Sequence, residues 1–179
     1  RDERQREIAH VMQANANLAR AFEEHTIRTI KQIDQLVLLV ASQYQRSGAK
    51  LDLARFAREA GANPELVVII AVLDERGDAV LTNTPAPPAN VADRDHFKFH
   101  SQHDSGKLFV GKAVMGRLGG RWLMPLSRRI NKPDGSFGGA VSIGVDPLYF
   151  SNFYRDIDLG REGVVTLVGR DGFIRSRLS

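Results

Sequence analysis

The 179-residue chain contains no cysteine, which excludes disulfide scaffolds, thiolate zinc sites and cysteine nucleophiles together. It also lacks a long apolar run. The longest, Leu36–Ala41 and Leu66–Leu73, fall far short of the roughly 20 residues needed to cross a bilayer. No leader segment is recognisable at the opening RDERQRE, so the sequence reads as a unit cut from something larger. Nor is charge of one sign gathered anywhere: 25 Lys and Arg face 21 Asp and Glu, and the excess is spread over the chain. Without a basic stripe, nucleic acid is not an expected partner. What is present suffices for a core, because 42% of the residues are hydrophobic and 26% charged.

Residues 4 to 46 contain neither Gly nor Pro. Apolar side chains recur there at Ile8, Val11, Leu18, Phe22, Ile30, Ile33, Val37 and Val40, in steps close to multiples of 3.6. The spacing predicts one helix over 1–46, whose Gly- and Pro-free stretch of about 40 residues would be roughly 60 Å long at 1.5 Å per residue. Such a helix is longer than one small sheet can cover, and its stripe is expected to seek a partner helix, giving a homodimer. Ser47-Gly48 ends it, and a shorter helix is expected at Leu51–Glu59.

The pattern then changes to β. Leu66–Leu73 is rich in β-branched residues and pairs across an Asp-and-Gly turn with Ala79–Thr82. Thr84–Asn90 holds three prolines and reads as loop, and Asp93–His103 as a short helix beside it. Strands are expected at Lys107–Met115, Arg121–Ile130 and Gly138–Val145, giving a five-stranded antiparallel sheet. A short aromatic helix over Pro147–Ile157 follows, then a hairpin of Val164–Val168 and Phe173–Arg177. The last hairpin repeats the plan of Val67–Asn83 and reads as the start of a second copy of one module. The expected organisation is therefore a long helix (1–46), a PAS-like domain (47–146), and a connecting helix with the first hairpin of another module (147–179).

Catalytic chemistry is not evident. His96, His100 and His103 share one helix face at spacings of four and three, but a solvated polar helix accounts for them more simply than a metal site. Ser127 has no Gly-x-Ser-x-Gly context, and Gly116–Gly120 lacks the Lys and Ser/Thr of a phosphate loop. No carboxylate pair is marked as an acid/base couple, so neither a catalytic nor a metal residue is assigned. Binding chemistry is better represented. Arg94, His96 and Phe97 adjoin the proline-rich loop, Asp146 ends a strand, and Arg128 and Arg129 must point to opposite sheet faces. Parity groups Ser127 with Arg129. An Arg fork suits a carboxylate, and a carboxylate suits an amine.

The succession ADRDHFKFH, LFVGKAVMGRLGGRWLMPLSRRI and PDGSFGGAVSIGVDPLYFSNFY resembles the extracytoplasmic double Cache (PAS-like, PDC-type) sensor region of bacterial membrane receptors. The resemblance implies an α+β fold, with a long helix packed on a PAS-like five-stranded antiparallel sheet and the start of a second similar module. It implies a periplasmic part of an inner-membrane protein, coupled to a histidine kinase, diguanylate cyclase or chemoreceptor module. A membrane helix would lie before Arg1 and another after the completed second module. In the amino-acid-binding branch of the family, the ligand is held by an Arg, here Arg94, and two aromatics, here His96 and Phe97. A strand-end Asp, here Asp146, completes the set. Phe109 falls near a later tyrosine of the family and Ala89 stands where an earlier one is expected, departures that leave a small anion open. The ligand set is thus Arg94, His96, Phe97, Phe109, Ser127, Arg129 and Asp146, for an amino acid or small organic acid, with no cofactor. The alternatives are a dimerisation stalk with a vestigial pocket and a cytosolic PAS-like domain holding haem or flavin.

Overall fold

The computed structural model describes residues 2–155 and 163–178. Residues 1–33 and 34–179 form two compact units, and the boundary falls inside the first helix. That helix, α1 (Asp2–Ser47), has 46 residues, which makes it about 69 Å long. Residues 2–17 are exposed throughout, including Ile8, Val11 and Met12. Burial begins at Phe22 and continues through Thr26, Thr29, Ile33, Leu36 and Val40, in alternating steps of four and three. A 3-10 turn over Gly48–Lys50 follows. α2 (Leu53–Glu59) starts where Asp52 accepts the Arg55 amide at 2.9 Å, an N-cap that satisfies one of its unpaired donors.

The main sheet is antiparallel. β1 (Val67–Leu73) and β2 (Ala79–Thr82) form the expected hairpin, and β1 pairs on its other side with β6 (Phe137–Val145). β6 pairs with β5 (Trp122–Asn131), whose far side carries β3 (Phe109–Val110) and β4 (Val114–Met115). The order is therefore β2-β1-β6-β5-β3, with β4 also on β5. Two short strands replace the single strand expected over Lys107–Met115. Pro125 is the reason: it has no N–H to donate, so the ladder breaks opposite it, and only the Gly111 amide bonds to its carbonyl at 2.8 Å. Three residues, 111–113, then oppose Met124 and Pro125. Gly111 is required at this crossing, since a Cβ there would lie 2.6 Å from the Pro125 ring.

Strand alternation gives the sheet two distinct faces. On one, Arg128 reaches back to Asp34 of α1, with bonds of 2.5 and 2.8 Å to the carboxylate. On the other lie Leu123, Pro125, Ser127 and Arg129 of β5, with α3 (Asp95–Gln102) across Ser127 and Arg129. α4 (Pro147–Asn152) follows β6 and buries Phe150, with Tyr154 just beyond it. The helix ends at Asn152 with Phe153 as its C-cap and residues 153–155 in a turn, shorter than the expected span to Ile157, whose last two positions lie outside the described residues. β7 (Val165–Val168) and β8 (Ile174–Leu178) form a separate hairpin. That hairpin meets α4 through a buried Ser176–Ser151 hydroxyl bond of 2.9 Å. The Lys112 ammonium also lies 3.4 Å from the centre of the Phe173 ring.

Candidate functional site

The segment between the proline-rich loop and α3 is tied to the β1–β2 turn. Asn90 donates to the Asp78 carboxylate at 2.8 Å and to the Arg76 carbonyl at 2.9 Å, and the Val91 amide donates to Gly77 at 2.9 Å. Gly77 has φ +87°, and a Cβ there would lie 2.7 Å from the Ala92 amide nitrogen. Only glycine allows the segment to come this close. These ties fix where α3 begins, directly after its N-cap residue Arg94, whose side chain makes no capping bond.

Between this segment and the sheet lies a cleft of about 480 Å³ counting its open mouth, of which about 50 Å³ admits the centre of a water molecule. Its floor is apolar: Ile69, Ala71 and Leu73 of β1 and Gly144 of β6, with Ser142 the one polar floor residue. Val114, Met115, Leu118 and Leu123 wall it. Two cations line it, Arg94 and Arg117, and they differ in how they are held. Arg117 is a fork on Asp93, with bonds of 2.5 and 2.8 Å, and also donates to the Asn90 carbonyl at 2.7 Å. This fork holds the Asp93 carboxyl well below the usual range, at about 2. Arg94 crosses the cleft to the Met115 carbonyl at 3.2 Å and makes no ion pair with any described residue.

His96 also lines the cleft and is 8% exposed. Burial, then the neighbouring His100 and Arg94, press its pKa down to about 4. One turn on, His100 is fully enclosed. Its Nε2 shares a 3.0 Å hydrogen bond with Ser127, while its Nδ1 has no partner among the described residues. Burial is again the main cause of a pKa near 4; the Ser127 bond raises it, and Arg129 and Arg128 lower it further. Both rings are therefore neutral at pH 7, and the cleft wall is polar without added charge.

Of the residues singled out in the sequence, the structure brings Arg94 and His96 together in the cleft. Phe97 is elsewhere: it sits in the core with Ala71, Leu73, Val91 and Ala140, edge-on to Phe137 at 5.4 Å. Ser127 and Arg129 share the cleft face of the sheet but lie under α3. Ser127 bonds His100, and Arg129 donates to the His100 carbonyl at 2.7 Å and to Asn131. Phe109 packs against Phe99, tilted with ring centres 5.0 Å apart, and pairs in register with Ser127. Asp146 is outside the cleft lining, and both of its oxygens are engaged. One caps α4 by accepting the Leu148 amide at 2.9 Å, and the other pairs with Arg121 at 2.8 Å. His103 bonds back to the Phe99 carbonyl at 3.1 Å and stacks on the Phe99 ring. No cluster of three or more His, Asp or Glu among the described residues is arranged to hold a metal. Sequence reasoning missed Arg117, placed in a turn, and Ser142, whose register opposite Ser127 would have put it on the same face.

A long helix, an antiparallel sheet of this order and a cleft under the helix after the second strand define a PAS-like α+β sensor fold. The solved structures it is similar to are of that kind. The extracellular domain of a protein described as a histidine kinase, rpHK1S-Z16, matches with a TM-score of 0.76 and 28% identity, over 88% of this chain and 66% of that one. The ligand-binding domain of the Campylobacter jejuni chemoreceptor Tlp3, in complex with 4-methylisoleucine, matches with a TM-score of 0.62 at 12% identity, over 90% and 66%. The sensor domain of the V. cholerae histidine kinase DctB matches at 0.60 and 11%, over 87% and 62%. The chain thus spans just under two thirds of the length of these structures. No family model and no curated protein sequence matches it. The fold is that of the extracellular sensor domains of histidine kinases and chemoreceptors, as the double Cache resemblance implied. No helix among the described residues is long and apolar enough to cross a membrane.

Proposed function

We propose that the chain is the extracytoplasmic, periplasmic ligand-sensing part of a membrane signalling receptor. It takes a small carboxylate-bearing metabolite in the cleft and relays occupancy to an output module elsewhere in the protein. The observation that carries this reading is Arg94, a guanidinium lining a cleft with an apolar floor and, unlike Arg117, without a carboxylate partner among the described residues. A charge in such a place is stabilised by an anion that supplies charge-assisted bonds as the cleft closes over both. The shared fold supports the reading, because the C. jejuni relative is a ligand-binding domain solved with a small molecule bound.

Self-association through α1 belongs to the same proposal. Ile8, Val11 and Met12 are each half or more exposed and lie at i, i+3 and i+4, the spacing of one helical stripe. Two copies would cover each other there, and sedimentation at high protein concentration tests this, with a purely monomeric profile against it. The ligand reading is tested by a thermal-shift screen of amino acids, organic acids and amines, since anything that binds the folded state alone must raise its stability. A hit whose stabilisation is lost in Arg94→Ala supports the reading; a screen in which nothing stabilises the chain contradicts it.

A further inference from the structure

We infer that the cleft is built for a short monocarboxylate with an uncharged body and discriminates against the α-amino acid of the same length. The inference rests on the ligand-sensing reading above and adds the chemistry of what is bound. It comes from a mismatch between the charges that line the cleft and those that an amino acid carries.

An α-amino acid brings one anion and one cation, and each must be met when water is removed. The anion is provided for: Arg94 crosses the cleft mouth with donors to spare beyond its bond to Met115. The cation is not, because no Asp or Glu is among the described residues lining the cleft. The three nearby acids are committed or turned away. Asp93 is gripped on both oxygens by Arg117, and Asp146 spends its two oxygens on the α4 cap and Arg121. Asp95 is exposed on the first turn of α3. Among the described lining side chains an ammonium would find only neutral acceptors, the Ser142 hydroxyl and the His96 ring, and would face the unpaired Arg94 guanidinium. The Met115 backbone carbonyl already accepts from Arg94.

The remaining surface describes the rest of the ligand. Ile69, Ala71, Leu73, Val114 and Leu123 offer carbon contacts to a short aliphatic body. One enclosed water occupies about 10–15 Å³ on this measure, so the 50 Å³ interior corresponds to about three to five water-sized positions. That suits an acid of a few carbons with its carboxylate at Arg94. Ser142 and neutral His96 leave room for one hydroxyl or keto oxygen on the body.

The experiment compares matched pairs by calorimetry on the 179-residue chain: propionate against alanine, butyrate against 2-aminobutyrate, with propylamine as the cation control. Trp122, the only tryptophan, is exposed and pairs in register with Met115 of the cleft wall, so its fluorescence gives a second readout. The expected result is binding of the acids, with each amino acid at least about tenfold weaker than its partner. Arg94→Ala is expected to weaken the acids at least about 30-fold. Arg94→Lys, which keeps the charge, should retain part of the affinity, and an unchanged melting temperature without ligand shows that both variants fold. If alanine or 2-aminobutyrate binds as tightly as its partner, the inference is overturned while the sensing reading stands. The same holds if neither series binds and the thermal screen yields another chemical class. If nothing binds in either experiment, both are overturned. Acid binding indifferent to Arg94→Ala also refutes the inference, by placing the carboxylate elsewhere.

Discussion

Lowering the pH should destabilise this protein well before its carboxylates protonate, and the cause is the His96–His100 pair. In the unfolded chain each imidazole titrates near 6.5, and in the folded one near 4. Between these values the unfolded state takes up protons that the folded state refuses. The stability held above pH 6.5 is therefore lost progressively as the pH falls toward 4, and the loss levels off below that. For one ring the linkage relation gives about 2 kcal/mol at pH 5 and about 3 kcal/mol at the plateau. The groups facing the pair offset burial only in small part, through the Ser127 bond to His100 and the Asp95 charge near His96. His100 looks toward Ser127 and Arg129 of β5, with the Phe99 and Phe109 rings beside it, and feels the charge of Arg128 from the other sheet face. Among the described residues, Asp95 is the opposite charge acting on His96. For two rings the melting temperature should drop by about 10 °C between pH 7.5 and 5, since each kcal/mol is worth about 2–4 °C in a domain of this size. Thermal melts across that range check it, with His96→Phe/His100→Leu as the control. If the double variant shows the same pH slope as the parent, the reasoning is wrong.

Asp146→Ala should cost about 1 kcal/mol, from the lost α4 cap and an exposed pair with Arg121 that adds little, and should leave affinity for any cleft ligand unchanged; denaturant melts and calorimetry together check both halves. Phe97→Ala should cost about 3–5 kcal/mol, because the ring is core against Phe137, Val91 and Leu73. A loss below about 1 kcal/mol in urea unfolding would mean that the ring faces solvent or ligand instead. Ending the chain at Val145 should abolish cooperative unfolding, since it removes the fully buried Phe150 and Tyr154 along with α4. Calorimetry showing an intact two-state transition would overturn this.

The strands were legible because their signals are local. The β-branched run of β1, the Asp-and-Gly turn after it and the Gly-rich β6 each declare themselves within a few residues. Parity alone separated Arg128 from Arg129, and the structure sends them to Asp34 and to α3 respectively. Two site residues misled for reasons that were physical and partly visible. Successive residues on a helix are about 100° apart, so His96 and Phe97 could not both face one ligand, and only His96 reaches the cleft. Asp146 stands directly before Pro147, the order of an N-cap and its first helical residue, and it spends its oxygens accordingly. The cleft itself was not legible. It exists because residues from β1, α3, β4, β5 and β6 converge, and no short window carries that register. Arg117 shows the limit plainly, since its role depends on Asp93 lying 24 positions away.

The claim at the centre of this account is that a small anion enters the cleft and is held by Arg94. The most direct measurement is an amide NMR titration of the 15N-labelled chain with propionate or butyrate. Shifts should concentrate on Ile69–Leu73, Val91–Phe97, Val114–Leu118 and Ser142–Gly144, leave α4 and the β7–β8 hairpin still, and disappear in Arg94→Ala. Shifts centred on Asp146 and α4, or a spectrum that does not respond to either acid, would contradict it.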